Sequence, residues 1–381
     1  METVHVWVKT TLSVLCAAFL CVLLLSQHTY AGFQGVSARN AVLIEQQTGR
    51  ILYSKQANAP EKIASITKIM TALLAIESGK MKETVSVSNT AVRTEGSSIY
   101  LTAGQKVKLE DLVYGLMLRS GNDAAQAIAE HVGGSTDGFV YLMNEKAREI
   151  GMKNTHFSNP SGLDGDGNHY SSAYDMALLT RYAMQNKTFQ KIFGTETYQS
   201  EAWDYPWHNK HKLLTSMYKY ATGGKTGFTK KAGRTLVTTA SKDGLDLIVV
   251  TLNASGDWND HMYLFNEGFN KYSMTTIMQD GGIAEVKGNS YKQHVYLKNS
   301  FSYPLTTEEK QDITVSIELE PRAQVQTDGS IVGKAIFLLK GERIGERNVF
   351  YSKKRLLPVT GLFWEDFQEV FSSMLGVTYD G

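Results

Sequence analysis

Cysteine is nearly absent from this 381-residue chain: there are two, Cys16 and Cys21. That excludes a disulfide framework and a cysteine-based zinc site. Charge of one sign is also missing. Lys and Arg number 39 against 38 Asp and Glu, a net +1. Nucleic-acid binders carry a clustered basic excess, so no nucleic-acid partner is expected. The chain has no internal repeat and no low-complexity tract, so solenoids and collagen-like folds drop out. Residues 12–25 are almost wholly apolar, yet this run of about 14 residues is short for a membrane span, which needs about 20.

What is present fits an exported globular protein. Lys9, the apolar run and Thr29-Tyr30-Ala31 have the layout of a signal peptide, with cleavage expected after Ala31. An uncleaved N-terminal anchor is the alternative. Both cysteines would leave with the signal, which suits an oxidising compartment. Hydrophobic residues make up 42% of the chain, enough for a sizeable core. The length predicts two domains, or one with an appendage.

Two short apolar runs, 41–45 and 51–54, flank Gln47-Thr48-Gly49 and predict a β-hairpin. From Ser65 the period changes: Ile66, Ile69, Met70, Leu73 and Ile76 mark one buried helix face, ended by Gly79. A second stripe, Leu109 to Met117, breaks at Ser120-Gly121-Asn122 and resumes over 124–132. Asp137 is placed to cap a third helix running to Ile150. Residues 235–240 and 246–252 read as strands, and 257–272 as a closing helix. Beyond residue 273 the runs 291–297, 312–319, 331–339 and 343–351 are strand-like, predicting a small all-β domain of roughly 80 residues. Hairpins interleaved with helices, without βαβ alternation, make the fold class α+β.

Three short motifs carry chemistry. Ser65-Ile66-Thr67-Lys68 puts a hydroxyl and an amine on one helix face. A serine alcohol needs a base to take its proton, and lysine serves only when neutral. At its unperturbed pKa of about 10.4, roughly one lysine in a thousand is neutral near pH 7. Lowering that by about 3 pH units costs about 4 kcal/mol, to be supplied by burial and a neighbouring cation. Alone, S-x-x-K is a common chance match to a helix cap with a solvated lysine. Ser120-Gly121-Asn122 sits in a helix break, where a serine can relay a proton and an amide can orient a lysine or a substrate. Lys225-Thr226-Gly227, placed just before strand-like sequence, supplies the second cation, a hydroxyl for a substrate carboxylate, and room for substrate at a strand edge. In this order, with S-D-N as the usual middle element, the three characterise penicillin-binding proteins and class A β-lactamases.

The chain resembles the low-molecular-mass penicillin-binding proteins, the serine-type D-alanyl-D-alanine carboxypeptidases. The stretches 41–45, 64–72, 118–124, 159–163 and 224–229 carry the likeness, which covers about residues 37–273. Residues 93–97 and the overall layout bring it nearest the sporulation-associated enzymes of bacilli. The resemblance implies a penicillin-binding protein/serine β-lactamase-like catalytic fold, a helical part plus an antiparallel sheet flanked by helices. It implies Ser65 as nucleophile, Lys68 as base and Ser120 as proton donor. It places Asn122, Lys225, Thr226, Gly227 and Phe228 around the substrate, with the oxyanion held by the N–H groups of Ser65 and Phe228. The partners it implies are a peptidoglycan stem peptide and, as covalent inhibitors, β-lactam antibiotics; no cofactor or metal is expected. The domains are then a signal peptide (1–31), the catalytic domain (32–273), the β domain (274–356) and an amphipathic membrane-associating helix (357–381).

Some features depart from the family or distract. Many relatives carry an arginine near a Gly-Gly turn after the second strand; here Asn253 to Trp258 contain none. Carboxylate binding then leans on Thr226, Lys225 or Arg234. Phe228 replaces a histidine found in some relatives. Asp164 to Asn168 imitates a calcium loop but has His169 where glycine is required, so a polar surface loop is expected. His208 and His211, among Trp203, Tyr205 and Trp207, are expected in a solvent-facing aromatic loop over the cleft, with a zinc site or a sugar-binding wall as alternatives. Residues 360–376 form an amphipathic pattern suited to lying on the outer face of a membrane. A serine β-lactamase and a non-catalytic wall-binding protein are the rival readings. The first lacks the glutamate its deacylation loop needs, since 159–163 hold none, and the second leaves three intact motifs unexplained.

Overall fold

The computed structural model describes residues 35–165, 168–283, 291–321 and 327–357. The proposed signal peptide, the amphipathic segment 360–376 and part of the calcium-like loop lie outside them. Among the described residues no helix is long and apolar enough to cross a membrane.

A five-stranded antiparallel sheet organises the catalytic part. Its strands are β1 (Asn40–Glu45), β2 (Ile51–Lys55), β3 (Ala221–Thr229), β4 (Gly233–Lys242) and β5 (Leu245–Ala254), in the order β2-β1-β5-β4-β3. The expected hairpin is β1–β2, with Gly49 at φ 77° in its turn. Every residue of β1 is buried because both sheet faces are covered. Alternate residues part to the two faces. Val42, Ile44, Ile248, Val250 and Leu252 join the core around helix α1 (Lys68–Glu77). Leu43 and Leu247 meet Gly268 of the closing helix.

The other helices include α2 (Leu109–Tyr114), α3 (Asn122–Gly133), α4 (Thr136–Ile150), α5 (Ala173–Ala183) and α6 (Asp257–Lys271). Three local expectations need correction. Ser65 precedes the α-helix: residues Ala64–Thr67 form a 3-10 turn and α1 starts at Lys68. The cap of α4 is Ser135, whose Oγ accepts from Gly138 N, while Asp137 sits inside the first turn. Lys225-Thr226-Gly227 lies within β3 rather than before it.

A second unit begins at β6 (Ser273–Met278), right after α6. It continues through β7 (Gly281–Gly282), β8 (Val295–Leu297), β9 (Phe301–Leu305), β10 (Ile313–Leu319), β11 (Ile331–Leu339) and β12 (Glu342–Tyr351). One sheet runs β7-β8-β12-β11-β10, and β6 pairs with β9. The run 291–297 is strand only from Val295. This unit has its own core, including Val295, Phe301, Phe337 and Val349. Arg50 ties it to the first: it pairs with Glu309, donates to Pro304 O, and lies 5.2 Å from the ring centres of Tyr272 and Tyr303.

The aromatic loop before β3 is built inward. Trp207 and His211 are buried, and Trp203 packs edge-on against Trp207. The expectation of a solvent-facing loop therefore fails for these residues, although Tyr205 is exposed. His211 lies beneath β3, where a Cβ on Gly224 would come within 2.1 Å of Nε2. Leu214 N donates to Nδ1 at 3.2 Å, so Nε2 carries the hydrogen shared between Val237 O and Thr238 Oγ1. On the other side Thr238 Oγ1 meets His261 Nδ1 at 2.8 Å. Burial holds His211 down to about 3 and pushes His261 well below its usual range.

This predicts acid sensitivity. A histidine whose folded pKa is depressed leaves stability intact above its unfolded value, about 6.5, and loses it as pH falls toward the folded value. His211 alone takes away about 2 kcal/mol between pH 7 and pH 5. Chemical denaturation at the two pH values reads the loss, and His211→Asn makes it smaller, His261 still contributing. Equal stability at both would contradict the buried neutral assignment.

Candidate active site

The 3-10 turn leaves Ser65 half-buried, with Lys68 fully buried behind it. Ser65 Oγ and Lys68 Nζ are 3.0 Å apart. Two other oxygens hold the amine: Lys68 Nζ donates to Asn122 Oδ1 at 2.7 Å and to Ser161 O at 2.6 Å. A neutral amine has two hydrogens and one lone pair. With both hydrogens given to these carbonyls, the lone pair faces Ser65. Burial first, and then the charge of Lys225, push Lys68 well below the usual lysine range.

Asn122 opens α3 and is clamped at both ends, since Nδ2 donates to Glu95 O at 2.6 Å. It orients the lysine. Nδ2 carries a second hydrogen, so the bond to Glu95 O leaves open the substrate contact expected of Asn122. Asp123 beside it is buried at the positive end of α3. Its carboxylate accepts from Ser98 Oγ, Ile99 N and Leu101 N, fixing the loop that covers Asn122.

Ser120 ends a π-helical turn, Gly115–Arg119, in the left-handed region at φ 64°. Such turns and such strain gather at functional sites. Lys225, buried on edge strand β3, donates to Ser120 Oγ at 3.1 Å and to Thr226 O at 2.9 Å. Burial, and then Lys210, hold Lys225 down to about 7. Thr226 is half-buried and Phe228 exposed on the same strand. Gly227 has a firmer reason than room for substrate. A Cβ there would lie 2.4 Å from Thr235 Oγ1 and 2.9 Å from Ser65 N. The strand therefore runs hard against the Ser65 amide.

The loop 159–163 completes the site through its backbone. Asn159 Oδ1 accepts from Ser161 N and Gly162 N, which turns the Ser161 carbonyl toward Lys68. Pro160 O accepts from Thr71 Oγ1 at 2.6 Å. Gly162, at φ 84°, sits so close that a Cβ would fall 1.9 Å from Ala64 O. His169, expected on a polar surface loop, is buried. Ser158 N donates to Nδ1 at 3.0 Å, which leaves Nε2–H to donate to Thr67 Oγ1 at 2.8 Å. Thr67 Oγ1 in turn donates to Ala64 O at 2.8 Å, steadying the residue before Ser65 at its left-handed φ of 47°. Arg234 is drawn aside, with Nη1 3.4 Å from the buried Asp257 carboxylate. His208 Nδ1 lies 3.1 Å from Thr197 Oγ1. Among the described residues no group of three His, Cys, Asp or Glu is placed to hold a metal.

The family model for D-alanyl-D-alanine carboxypeptidase, peptidase S11, matches residues 27–256. The chain belongs to that family. Residues 272–355 match the C-terminal domain of penicillin-binding protein 5. The D-alanyl-D-alanine carboxypeptidase DacF of Bacillus subtilis is 34% identical over 330 residues, covering 82% of this chain and 84% of its own. DacC of Escherichia coli is 32% identical over 82% of each. The crystal structure of penicillin binding protein 5 from Haemophilus influenzae superposes with a TM-score of 0.70 at 26% identity, over 84% of this chain and 97% of that one. The fold is that of the penicillin-binding proteins, a helical part with an antiparallel sheet followed by an all-β domain.

In this peptidase the Gly162 contact offers a direct check. Gly162→Ala puts a methyl into the Ala64 carbonyl and shifts the nucleophile's turn. A displacement near 1 Å slows reaction on the order of 100-fold. The rate of Ser65 labelling by a fluorescent penicillin measures it, with a melting curve to confirm folding. An unchanged rate in folded protein would contradict the packing described.

Proposed function

We propose that the chain is a serine-type carboxypeptidase that removes the terminal D-alanine from peptidoglycan stem pentapeptides through an acyl-enzyme on Ser65. The observation that carries the reading is the Lys68 amine, buried, bound by two carbonyls and 3.0 Å from the Ser65 hydroxyl. Family membership and relatives named D-alanyl-D-alanine carboxypeptidases support the substrate.

Lys68 takes the Ser65 proton as Oγ attacks the carbonyl of the penultimate D-alanine. The oxyanion develops between the N–H groups of Ser65 and Phe228, where β3 runs against the Ser65 backbone. Collapse breaks the C–N bond, and the departing amine needs a proton. Because Lys225 donates to Ser120 Oγ, the hydroxyl hydrogen of Ser120 is free to pass to that amine, and Lys68 replenishes it. Water then hydrolyses the ester. β-Lactams fit as covalent inhibitors because they acylate the same serine. A serine β-lactamase reading is disfavoured by the loop that touches Lys68: it offers the Ser161 carbonyl and no glutamate.

Export, with the signal in residues 1–31, supports action on the wall. Residues 357–381 would hold the enzyme at the outer face of the membrane, an expectation that rests on their amphipathic pattern. The sporulation role rests on residues 93–97 and the general layout. The catalytic and β domains are taken as 32–273 and 274–356.

Fluorescent penicillin is expected to label the protein, and Ser65→Ala to abolish labelling. D-Alanine release from diacetyl-Lys-D-Ala-D-Ala should exceed nitrocefin turnover. The reverse ranking would favour a β-lactamase, and no labelling of folded protein a non-catalytic wall binder. The acylation rate is expected to fall toward acid as Lys68 becomes protonated. Lys225→Met removes a repelling cation, raises the Lys68 pKa and moves that acid limb to higher pH. A limb that stays in place in the variant would separate the two lysines.

A further inference from the structure

Lys225 and Ser120 meet at 3.1 Å across two parts of the fold. Ser120 ends the π-helical turn Gly115–Arg119, and Lys225 lies on β3, the edge of the sheet. An edge strand is paired on one side only, so this separation depends on what ties that edge to the helical part. Residues 208–211 supply a tie. On the helical side Arg119 Nη1 donates to His208 O at 3.1 Å, and Lys210 N donates to Leu118 O at 3.3 Å. His211 N then donates to Asn209 Oδ1 at 3.0 Å, and the imidazole passes beneath β3.

On the sheet side Nε2–H of His211 is shared between Val237 O at 3.2 Å and Thr238 Oγ1 at 3.0 Å. In the ladder between β3 and β4, Val237 stands opposite Lys225 and Thr238 opposite Gly224. The contact is one end of a longer chain. Having accepted from His211, Thr238 Oγ1 gives its own hydrogen to His261 Nδ1 at 2.8 Å, and His261 Nε2–H donates to Thr251 Oγ1 at 2.9 Å. The chain thus runs from the loop through β4 and α6 to β5. All four side chains are buried. Trp258 of α6 stands edge-on to the His211 ring, with centres 5.4 Å apart. A buried polar chain whose members are bonded to one another specifies a single arrangement of the elements it joins. The proposed chemistry uses none of its members directly.

We propose that His211 is a positioning residue for catalysis: its ring fixes β3 through Val237 and Thr238, its own loop fixes the turn of Ser120, and together these set the contact between Lys225 and Ser120. This inference goes beyond the acyl-enzyme reading but rests on it.

The test follows, against pH, the rate constant for labelling of Ser65 by a fluorescent penicillin, which reports folded molecules only. His211 is neutral, so replacing it removes no charge. Lys68 feels the charges of Lys225, Lys210 and Asp123, and His211 faces Lys225 and His261. His211→Leu is expected to slow labelling on the order of tenfold or more. As Lys225 moves off, the acid limb shifts to higher pH, by no more than Lys225→Met shifts it. In a Lys225→Met background His211→Leu shifts the limb no further. His211→Gln keeps an N–H for Thr238 and stays near the wild type. Thr238→Val removes the hydroxyl in the middle of the chain and repeats the effect in milder form, so it carries the test if His211→Leu does not fold. A role in stability alone would lower the melting temperature and leave the rate constant and the limb in place. That result in the folded variants, or an equal shift of the limb with and without Lys225, overturns the proposal. If the wild type is not labelled at all, the acyl-enzyme reading falls first and this inference with it.

Discussion

A lysine amine that has lost its proton keeps two hydrogens, and the interior of this protein offers it two carbonyl oxygens. Asn122 Oδ1 and Ser161 O accept at 2.7 and 2.6 Å, and the third direction points to Ser65 Oγ at 3.0 Å. Most of the surrounding architecture maintains this arrangement. Asn122 is clamped by Glu95 O, the Ser161 carbonyl is turned by Asn159, and Gly162 lets that loop close on Ala64. Desolvation and the nearby Lys225 penalise a charged amine here, while a neutral one gives its two hydrogens to the carbonyls without that cost. Burial therefore selects the protonation state the chemistry needs.

The backbone around the two serines is held in uncommon conformations. Ala64 precedes Ser65 at φ 47°, and Ser120 itself lies at φ 64°. Strain of this kind costs about 1–3 kcal/mol per residue and persists where neighbours over-determine it. Here the neighbours are explicit. His169 and Thr67 pin the Ala64 carbonyl, and Lys225 binds Ser120. The large core around α1, buried along nearly its whole length, supplies the rigidity against which such strain can stand.

The meeting of the motif side chains was legible in the sequence because short motifs name them and because i and i+3 meet on a turn whether it is 3-10 or α-helical. The hairpin β1–β2 and the stripe of α1 were legible through their periods. Other parts left no such trace. The Ser161 contribution is a backbone carbonyl, which any residue could provide. Strand β3 contains Gly223, Gly224 and Gly227, so its apolar alternation is erased and Lys225 looked like a residue ahead of a strand. Pro304 masked β9 in the same way. His169 and His211 sit in polar-looking stretches, and their burial depends on tertiary packing that no local pattern reports. The reason for Gly227 was visible only once β3 lay against Ser65.

The central claim is that Lys68 is neutral in the resting folded protein. Titration of its Cε and Nζ resonances by NMR, with lysine isotopically labelled and the signal assigned through Lys68→Arg, reads that state directly. A midpoint far below the ordinary lysine range is predicted, rising when Lys225 is replaced by methionine. A midpoint near 10.5, the value of a solvated lysine, would contradict the account.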